Sequence, residues 1–144
     1  MNNDTYQLFV YGSLRSGFQQ AAYQYLSKYF RLLGEARVKG KLYDMGEYPV
    51  ALPTNEERFI IGELYQINNT DEFSYAIGQL DDYEGLFPEN EEVPLYKRKA
   101  VTVYCNNLQS TSWIYWFNGT VEGLPEIVTG DVLEYLQQKN KWQA

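Results

Sequence analysis

Short runs of β-branched and aromatic residues, each halted by Gly, Pro or a polar turn, recur along most of the chain. Runs of this kind are typical of β-strands, so the sequence predicts a strand-rich fold. The predicted strands are "QLFVYG", two short strands in "LLGEARVKGKLYDM" with a bulge or tight turn at Gly34 and Gly40, "RFIIGELYQI", "KAVTVYCN" and "TSWIYWFN". The last two are predicted to pair antiparallel across an "NLQS" turn, and "GEYPVALP" is interpreted as a Pro-bounded loop.

Three segments have helical rather than strand-like spacing. The first, "GFQQAAYQYLSKYF", is predicted to begin near Gly17. The second is predicted over about residues 70–83, because Asn69 and Glu72 have the spacing of a capping box. The third is "DVLEYLQQ", opened by Gly130-Asp131. Strands with few inserted helices favour an α+β domain with a curved or barrel-like mixed sheet over a doubly wound sheet, in which strands and helices alternate regularly.

Length and charge limit the classes of function. The 144 residues are expected to form a single domain, 1–144. Twelve basic residues against 19 acidic ones, a net charge of −7, disfavour nucleic acid as a partner, because binding phosphates requires a Lys/Arg surface. A lone cysteine, Cys105, excludes an internal disulfide framework, and its place in an alternating strand favours a buried small side chain over a reactive thiol.

No apolar run approaches the roughly 18 residues that a membrane span needs, and the N-terminus lacks the pattern of a signal peptide. We therefore expect a cytoplasmic protein without a membrane partner. Nothing in the sequence indicates a subunit interface or a cofactor site, so a cofactor-free monomer is expected.

The absence of histidine is the most informative part of the composition. It excludes Ser-His-Asp and Cys-His nucleophile systems and the usual zinc sites. Acid–base chemistry near neutral pH would have to use a carboxylate, Lys, Tyr or Cys whose pKa is shifted.

Glu84 stands where an apolar side chain is expected. In the second helix, Phe73, Ile77, Leu80 and Glu84 follow one another at intervals of four, three and four residues and so share a face. Asp82 is predicted to point to solvent, whereas Asp81 flanks the apolar stripe one turn before Glu84.

Three effects would raise the pKa of Glu84 above its ordinary value of about 4.3. They are desolvation by the stripe, the possible like charge of Asp81, and the negative end of the helix dipole. Such a carboxylate can exchange protons near pH 7. The alternative is that Glu84, just before Gly85, turns outward to water as the helix frays, and spacing alone leaves both interpretations open.

The string "YGSL" at the end of the first strand is a second candidate. Consecutive backbone N–H groups without ladder partners can hold a carboxylate or an oxyanion. An ordinary strand–loop corner is the alternative. A phosphate loop is excluded because no Gly-Lys-Ser/Thr follows, and Ser13 has no histidine base.

Taken together, these segments resemble the γ-glutamylcyclotransferase family. The resemblance runs nearly the length of the chain and is carried by "LFVYGSLRSG", "LYDMGEYPVALP", "GELYQI", "LDDYEG", "LYKR", "SWIYWF" and "TGD". The first of these looks more like the γ-glutamylamine cyclotransferase branch and its bacterial relatives than the glutathione-specific members.

The resemblance implies a small mixed barrel with flanking helices, and cyclisation of a γ-glutamyl amide to 5-oxoproline with release of the amine. Glu84 would be the general acid/base. The implied substrate-binding residues are Tyr11, Gly12, Ser13, Leu14, Tyr115, Tyr96 and Arg98. For Tyr96 a place in the core or rim, and for Arg98 a surface ion pair, remain alternatives.

Two other classes of function are compatible with the sequence. One is a non-catalytic module that binds a small carboxylate or a protein on the same fold. The other is an interaction protein whose contact surface is the acidic segment "PENEEVP", for which a solvated loop is otherwise favoured over a lid.

Overall fold

The structure, a computed structural model, describes residues 5–12, 21–45, 49–83 and 96–136, with the backbone alone for residues 21–23 and 83. The strands are β1 (Gln7–Val10), β2 (Phe30–Lys39), β3 (Lys41–Asp44), β4 (Pro49–Leu52), β5 (Phe59–Ile67), β6 (Tyr96–Cys105), β7 (Leu108–Phe117) and β8 (Glu126–Ile127). The helices are α1 (Ala21–Tyr29), α2 (Phe73–Tyr83), preceded by a 3₁₀ turn at Thr70–Glu72, and α3 (132–136).

Five strands close into a barrel in the order β1-β5-β2-β6-β7, and β4-β3-β8 form a small second sheet. The barrel pairs are antiparallel except at its closure, where β1 meets β7 in parallel through Leu8 and Trp113. This confirms the predicted α+β class and the barrel-like mixed sheet.

Strand alternation divides the core into two clusters. One takes side chains from all five barrel strands, including Phe9, Val38, Leu64 and Ile114, as expected for the filling of a closed barrel. The other lies on the opposite face of the strands, where Leu8 and its neighbours pack against the helices. Buried side chains of α2 in this second cluster are Ala76, Ile77 and Leu80.

Gly34 marks a bulge in the barrel, as predicted, and Gly62 a close approach of two strands. The register of β2 against β5 shifts between Leu32 and Gly34, which is a bulge. A Cβ atom on Gly62 would stand 2.2 Å from the carbonyl oxygen of Val10, so β1 and β5 approach closely only because residue 62 has no side chain.

Helix starts were predicted from their caps with good accuracy. The Asn69 side chain accepts a hydrogen bond from the N–H of Asp71 at 3.0 Å, and Asp131 accepts one from Leu133 at 3.0 Å. The predicted start of α1 near Gly17 lies outside the described residues.

Two local predictions were wrong. The "GEYPVALP" segment was predicted as a loop, but Pro49–Leu52 is a strand that pairs with β3. It lies at the edge of its sheet and begins with proline, where the missing N–H costs no ladder bond. The β6–β7 turn is at Asn106 and Asn107 rather than "NLQS", because both asparagines adopt positive φ (53° and 64°), as a two-residue hairpin turn requires.

Among the described residues, no helix is both long enough and apolar enough to span a membrane.

Candidate active site

Asp81, in the last described turn of α2, is the centre of a buried hydrogen-bond network. Its side chain lies beside the apolar stripe of the helix, and the residue is only 3% exposed. One carboxylate oxygen accepts from Arg98 Nε at 2.7 Å and from the Tyr115 hydroxyl at 2.8 Å. The other accepts from the second guanidinium nitrogen of Arg98 at 2.9 Å. Asp81 is therefore held by a two-pronged ion pair and a phenol.

The register of the β6–β7 hairpin explains why Arg98 and Tyr115 reach the same carboxylate. The two residues are directly paired across the strands, so their side chains leave the same face of the sheet. Trp113, two residues earlier on β7, lies under the guanidinium, with Arg98 Cζ 4.4 Å from the ring centroid. Stacking on the indole fixes the plane of the guanidinium that binds Asp81.

Tyr11 joins the end of β1 to this network. Its hydroxyl donates to the backbone carbonyl of Tyr115, and the side chain is buried. Tyr115 therefore connects two elements through two atoms, since its carbonyl accepts from Tyr11 and its hydroxyl donates to Asp81.

Gly12 and Tyr96 meet at Pro49. A Cβ atom on Gly12 would lie 3.3 Å from Pro49 Cγ, so the chain passes close to the proline ring as it leaves Tyr11. The Tyr96 hydroxyl donates to the Pro49 carbonyl at 3.2 Å. The first residue of β4 is thus in contact with both the "YGSL" segment and the start of β6.

The structure brings together all the predicted site residues that it describes: Tyr11, Gly12, Tyr96, Arg98 and Tyr115. The remaining predicted residues, Ser13, Leu14 and Glu84, lie outside the described residues, as does the "PENEEVP" segment. Of the two predicted neighbours of Glu84 in α2, Asp82 is exposed, as expected.

The sequence analysis did not predict the contacts that Asp81 makes. It was predicted to flank the stripe and to act as a like charge on Glu84. The structure pairs Asp81 with Arg98, and its predicted effect on Glu84, which lies outside the described residues, stays a prediction. The partner of Arg98 is therefore a buried carboxylate rather than a surface one. No periodicity links positions 81 and 98, which belong to a helix and a distant strand.

The aromatic rings of Tyr96, Trp113 and Phe117 lie on the same face of the β6–β7 hairpin as Arg98 and Tyr115. The Tyr11 side chain belongs to the barrel-filling cluster and reaches the network through the backbone carbonyl of Tyr115.

A separate pocket of about 700 Å³ lies at the opposite end of the β6–β7 hairpin. Its lining includes Glu35, Arg37, Cys105, Asn106 and Glu134, and it shares no residue with the Asp81 network. Burial raises the pKa of the Cys105 thiol above its ordinary value.

The closed five-stranded barrel with flanking helices places the chain in a class of small α+β proteins. Residues 8–137 match the family described as "Gamma-glutamyl cyclotransferase, AIG2-like", and the chain belongs to that family. Among curated proteins there is no significant match.

Solved structures with the same fold include two bacterial proteins. YkqA from Bacillus subtilis is 26% identical with a TM-score of 0.69, and the match covers 94% of this chain and 42% of YkqA. This chain thus spans about two fifths of the length of that relative. The protein ytfP from Escherichia coli is 27% identical with a TM-score of 0.63, with 90% and 97% of the two chains covered.

An AIG2-like protein from mouse shares the fold at lower identity. It is 21% identical with a TM-score of 0.61, and 83% of each chain is covered.

Proposed function

We propose that this chain is a cyclotransferase that converts a γ-glutamyl amine, or a related γ-glutamyl amide, into 5-oxoproline and the free amine. The observation that carries the proposal is the pairing of Asp81 with Arg98 and Tyr115, with Tyr11 bonded to Tyr115, in a chain of the gamma-glutamyl cyclotransferase family. This cluster stands at the end of the helix that leads in sequence to Glu84. It supports a polar site for a zwitterionic glutamyl group beside a carboxylate.

The reaction needs no nucleophile from the protein, which suits a chain without histidine. The α-nitrogen of the substrate bonds to its own γ-carbonyl carbon, and the bond from that carbon to the leaving nitrogen breaks. From ammonium to lactam N–H, the attacking nitrogen loses two protons; the leaving nitrogen gains two on becoming an ammonium ion. The protein must hold the two nitrogens and move those protons.

Glu84 is the proposed proton carrier. It carries the two protons one after the other from the attacking nitrogen to the leaving nitrogen, so that its own charge is unchanged after a complete cycle. The backbone N–H groups of Gly12, Ser13 and Leu14 hold the α-carboxylate or the developing oxyanion. Tyr11 and Tyr115 orient the bound glutamyl group by hydroxyl hydrogen bonds.

Tyr96 and Arg98 have indirect parts in this proposal. Tyr96 borders the glutamyl site through its bond to Pro49, which packs against Gly12. Arg98 orients Asp81 and Trp113 rather than the substrate, because its guanidinium is already committed to the carboxylate.

The test is release of 5-oxoproline from purified protein with a panel of γ-glutamyl compounds. The panel contains γ-glutamyl-ε-lysine, simple γ-glutamyl amines, γ-glutamyl amino acids and glutathione. A γ-glutamyl amine is expected to be the best substrate, and Glu84→Gln is expected to lower kcat by about 100-fold or more. The matched control is Glu72→Gln, an exposed glutamate at the start of the same helical region, which should keep full activity.

Two results would contradict the proposal. Full activity in Glu84→Gln would remove Glu84 from the chemistry. Folded wild-type protein that binds 5-oxoproline, measured by calorimetry, but converts no member of the panel would instead identify a non-catalytic module that binds a small carboxylate.

A further inference from the structure

We infer that Asp81 is a positioning residue, which fixes the C-terminal end of α2 relative to the strand end that carries Tyr11 and Gly12. In this role it fixes the point from which the chain continues toward Glu84. The inference rests on the proposed function as far as Glu84 is concerned, but the anchoring itself rests on contacts among described residues alone.

The burial of Asp81 requires an explanation. Taking a carboxylate out of water is unfavourable, and a buried ion pair often contributes no more to stability than apolar side chains of the same size. What such a pair does contribute is a fixed geometry, because its hydrogen bonds are directional whereas apolar contacts are not. Asp81 accepts three hydrogen bonds and is 3% exposed, so its side chain has one defined place.

Apolar side chains already pack α2 against the barrel: Ala76, Ile77 and Leu80 are buried in the cluster beneath the helix. Such contacts are non-directional. The fork of Arg98 on Asp81 adds a directional constraint at the last described turn.

The anchor on the other side is rigid. Arg98 and Tyr115 stand on strands that are paired along ten residues each, and the guanidinium is also stacked on Trp113. The same Tyr115 accepts from Tyr11 through its backbone carbonyl. A continuous path of bonds therefore runs from α2 through the β6–β7 hairpin to the end of β1.

This path joins the two segments that the proposed reaction must hold in register. Glu84 follows Asp81 by three residues, and Gly12 follows Tyr11 directly. A misplacement of catalytic groups by about 1 Å can lower a rate by about 100-fold. Loosening the Asp81 anchor is therefore expected to reduce kcat while leaving ground-state binding nearly unchanged.

The main test compares Asp81→Asn with Asp82→Asn in steady-state kinetics. Both variants remove one negative charge from the same helical turn, but residue 82 is exposed. Asn at position 81 keeps the size of the side chain and presents an amide donor toward the donors of Arg98. We expect kcat to fall about 10- to 100-fold in Asp81→Asn with KM within about threefold, and no change beyond twofold in Asp82→Asn.

A second variant covers the case in which Asp81→Asn does not fold. Arg98→Lys keeps the positive charge but lacks the two-pronged fork, and we expect an approximately tenfold fall in kcat with KM retained. Asp81→Glu restores the charge on a longer side chain and should recover part of the activity lost in Asp81→Asn. Circular dichroism and thermal melting confirm that the variants compared are folded.

Hydrogen exchange gives a readout that does not depend on turnover. In Asp81→Asn, exchange is expected to accelerate at the amides of residues 79–83 and at Tyr11 and Gly12, with the β6–β7 hairpin unchanged. Asp82→Asn should leave all of these rates unaltered. The coupled response across α2 and β1 would not arise from a local loss of packing at position 81.

The outcomes separate this inference from the proposed function. Unchanged kcat in folded Asp81→Asn, or unchanged exchange at Tyr11 and Gly12, overturns the positioning role. A shift of the pH–rate profile in Asp81→Asn, with activity retained in Glu84→Gln, also overturns it, because Asp81 would then be the proton carrier itself. If the wild type converts no member of the panel, the proposed function fails, and the exchange result alone upholds or rejects the anchor.

Discussion

Tyr115 shows how one residue can serve two neighbours with different atoms. Its backbone carbonyl belongs to the strand and accepts from Tyr11, whereas its hydroxyl, at the far end of the ring, donates to Asp81. A substitution by Phe would remove only the second bond and leave Asp81 with one donor fewer. At the scale of single residues, the position of each side chain in the site therefore depends on its hydrogen bonds to the others.

Cys105 is the only cysteine and provides a residue-scale prediction about burial. Because desolvation raises the pKa of its thiol, the thiolate fraction at pH 7 is smaller than in an exposed cysteine. The residue is also only 9% exposed. We expect alkylation of native protein by iodoacetamide at pH 7 to be at least about tenfold slower than that of protein unfolded in urea.

The raised pKa of Cys105 also makes the stability of the fold depend on pH. Burial favours the neutral thiol, so the stability that Cys105 contributes is present below the ordinary pKa of a thiol and is lost as pH rises through the raised value. Cys105→Ala, which cannot be alkylated, is the control for labelling elsewhere. Equal labelling rates in native and unfolded protein would show that the thiol is accessible.

At the scale of elements, glycine is required where two strands approach closely but is unfavourable inside a helix. Gly62 lies where β5 meets β1, and the site of its missing Cβ is 2.2 Å from a backbone oxygen. Gly78 lies in the middle of α2, and no atom outside its own helix surroundings lies within 4 Å of the site of its Cβ. The same substitution should therefore have opposite effects at the two positions.

We expect Gly62→Ala to destabilise the protein by roughly 2–3 kcal/mol, because the strands must separate to admit the methyl group. Gly78→Ala should stabilise it by about 0.5–1 kcal/mol, because alanine favours the helix and nothing opposes it. Urea denaturation followed by circular dichroism measures both. A Gly62→Ala protein as stable as the wild type would mean that β1 and β5 do not approach as closely as described.

Element-scale features were also those that the sequence predicted best. The predicted strands, the Gly34 bulge and the Asn69 cap follow from local patterns of a few residues, and all are present. Strand β4 was missed because proline is acceptable at the start of an edge strand, and β8 because two residues form no pattern. Local sequence patterns do not predict which strand lies at the edge of a sheet.

The site was predicted only in part, for a related reason. Tyr11, Gly12, Tyr96, Arg98 and Tyr115 were identified through the family resemblance, and the fold brings them together. The Asp81–Arg98 pair was not predicted, because it is formed by tertiary packing between residues 17 positions apart. The predicted roles of Glu84, Ser13 and Leu14 stay predictions.

At the scale of the whole molecule, the barrel is closed unevenly. β6 and β7 are joined by ten residue pairs, whereas β1 and β7 are joined by one. Side chains reinforce that closure: Thr5 donates to the Thr111 carbonyl at 2.6 Å, and the Trp113 indole donates to the Thr5 carbonyl at 3.0 Å. The strand that leads into the candidate site is thus the one held by the fewest pairs on one side.

Native-state hydrogen exchange should reveal this difference. In low concentrations of denaturant, the amides of β1 are expected to exchange through a partial opening whose free energy is lower than that of global unfolding. Amides in the centre of β6 and β7 should exchange only by global unfolding. Thr5→Val, which removes the hydroxyl that donates to the Thr111 carbonyl and accepts from the Gln7 N–H, should lower the β1 opening energy by about 1 kcal/mol without changing the hairpin. Exchange of β1 at the global limit would contradict this prediction.

The stacking of Arg98 on Trp113 has an optical consequence. Indole emission depends on the charges close to the ring, and here the charge is a guanidinium 4.4 Å from the ring centroid that is also bonded to Asp81. Any occupant of the candidate site that redirects Arg98 changes the electric field on this chromophore. With Trp116 and Trp142 replaced by phenylalanine, the emission wavelength of Trp113 would thus report the state of the Asp81–Arg98 ion pair without an added label.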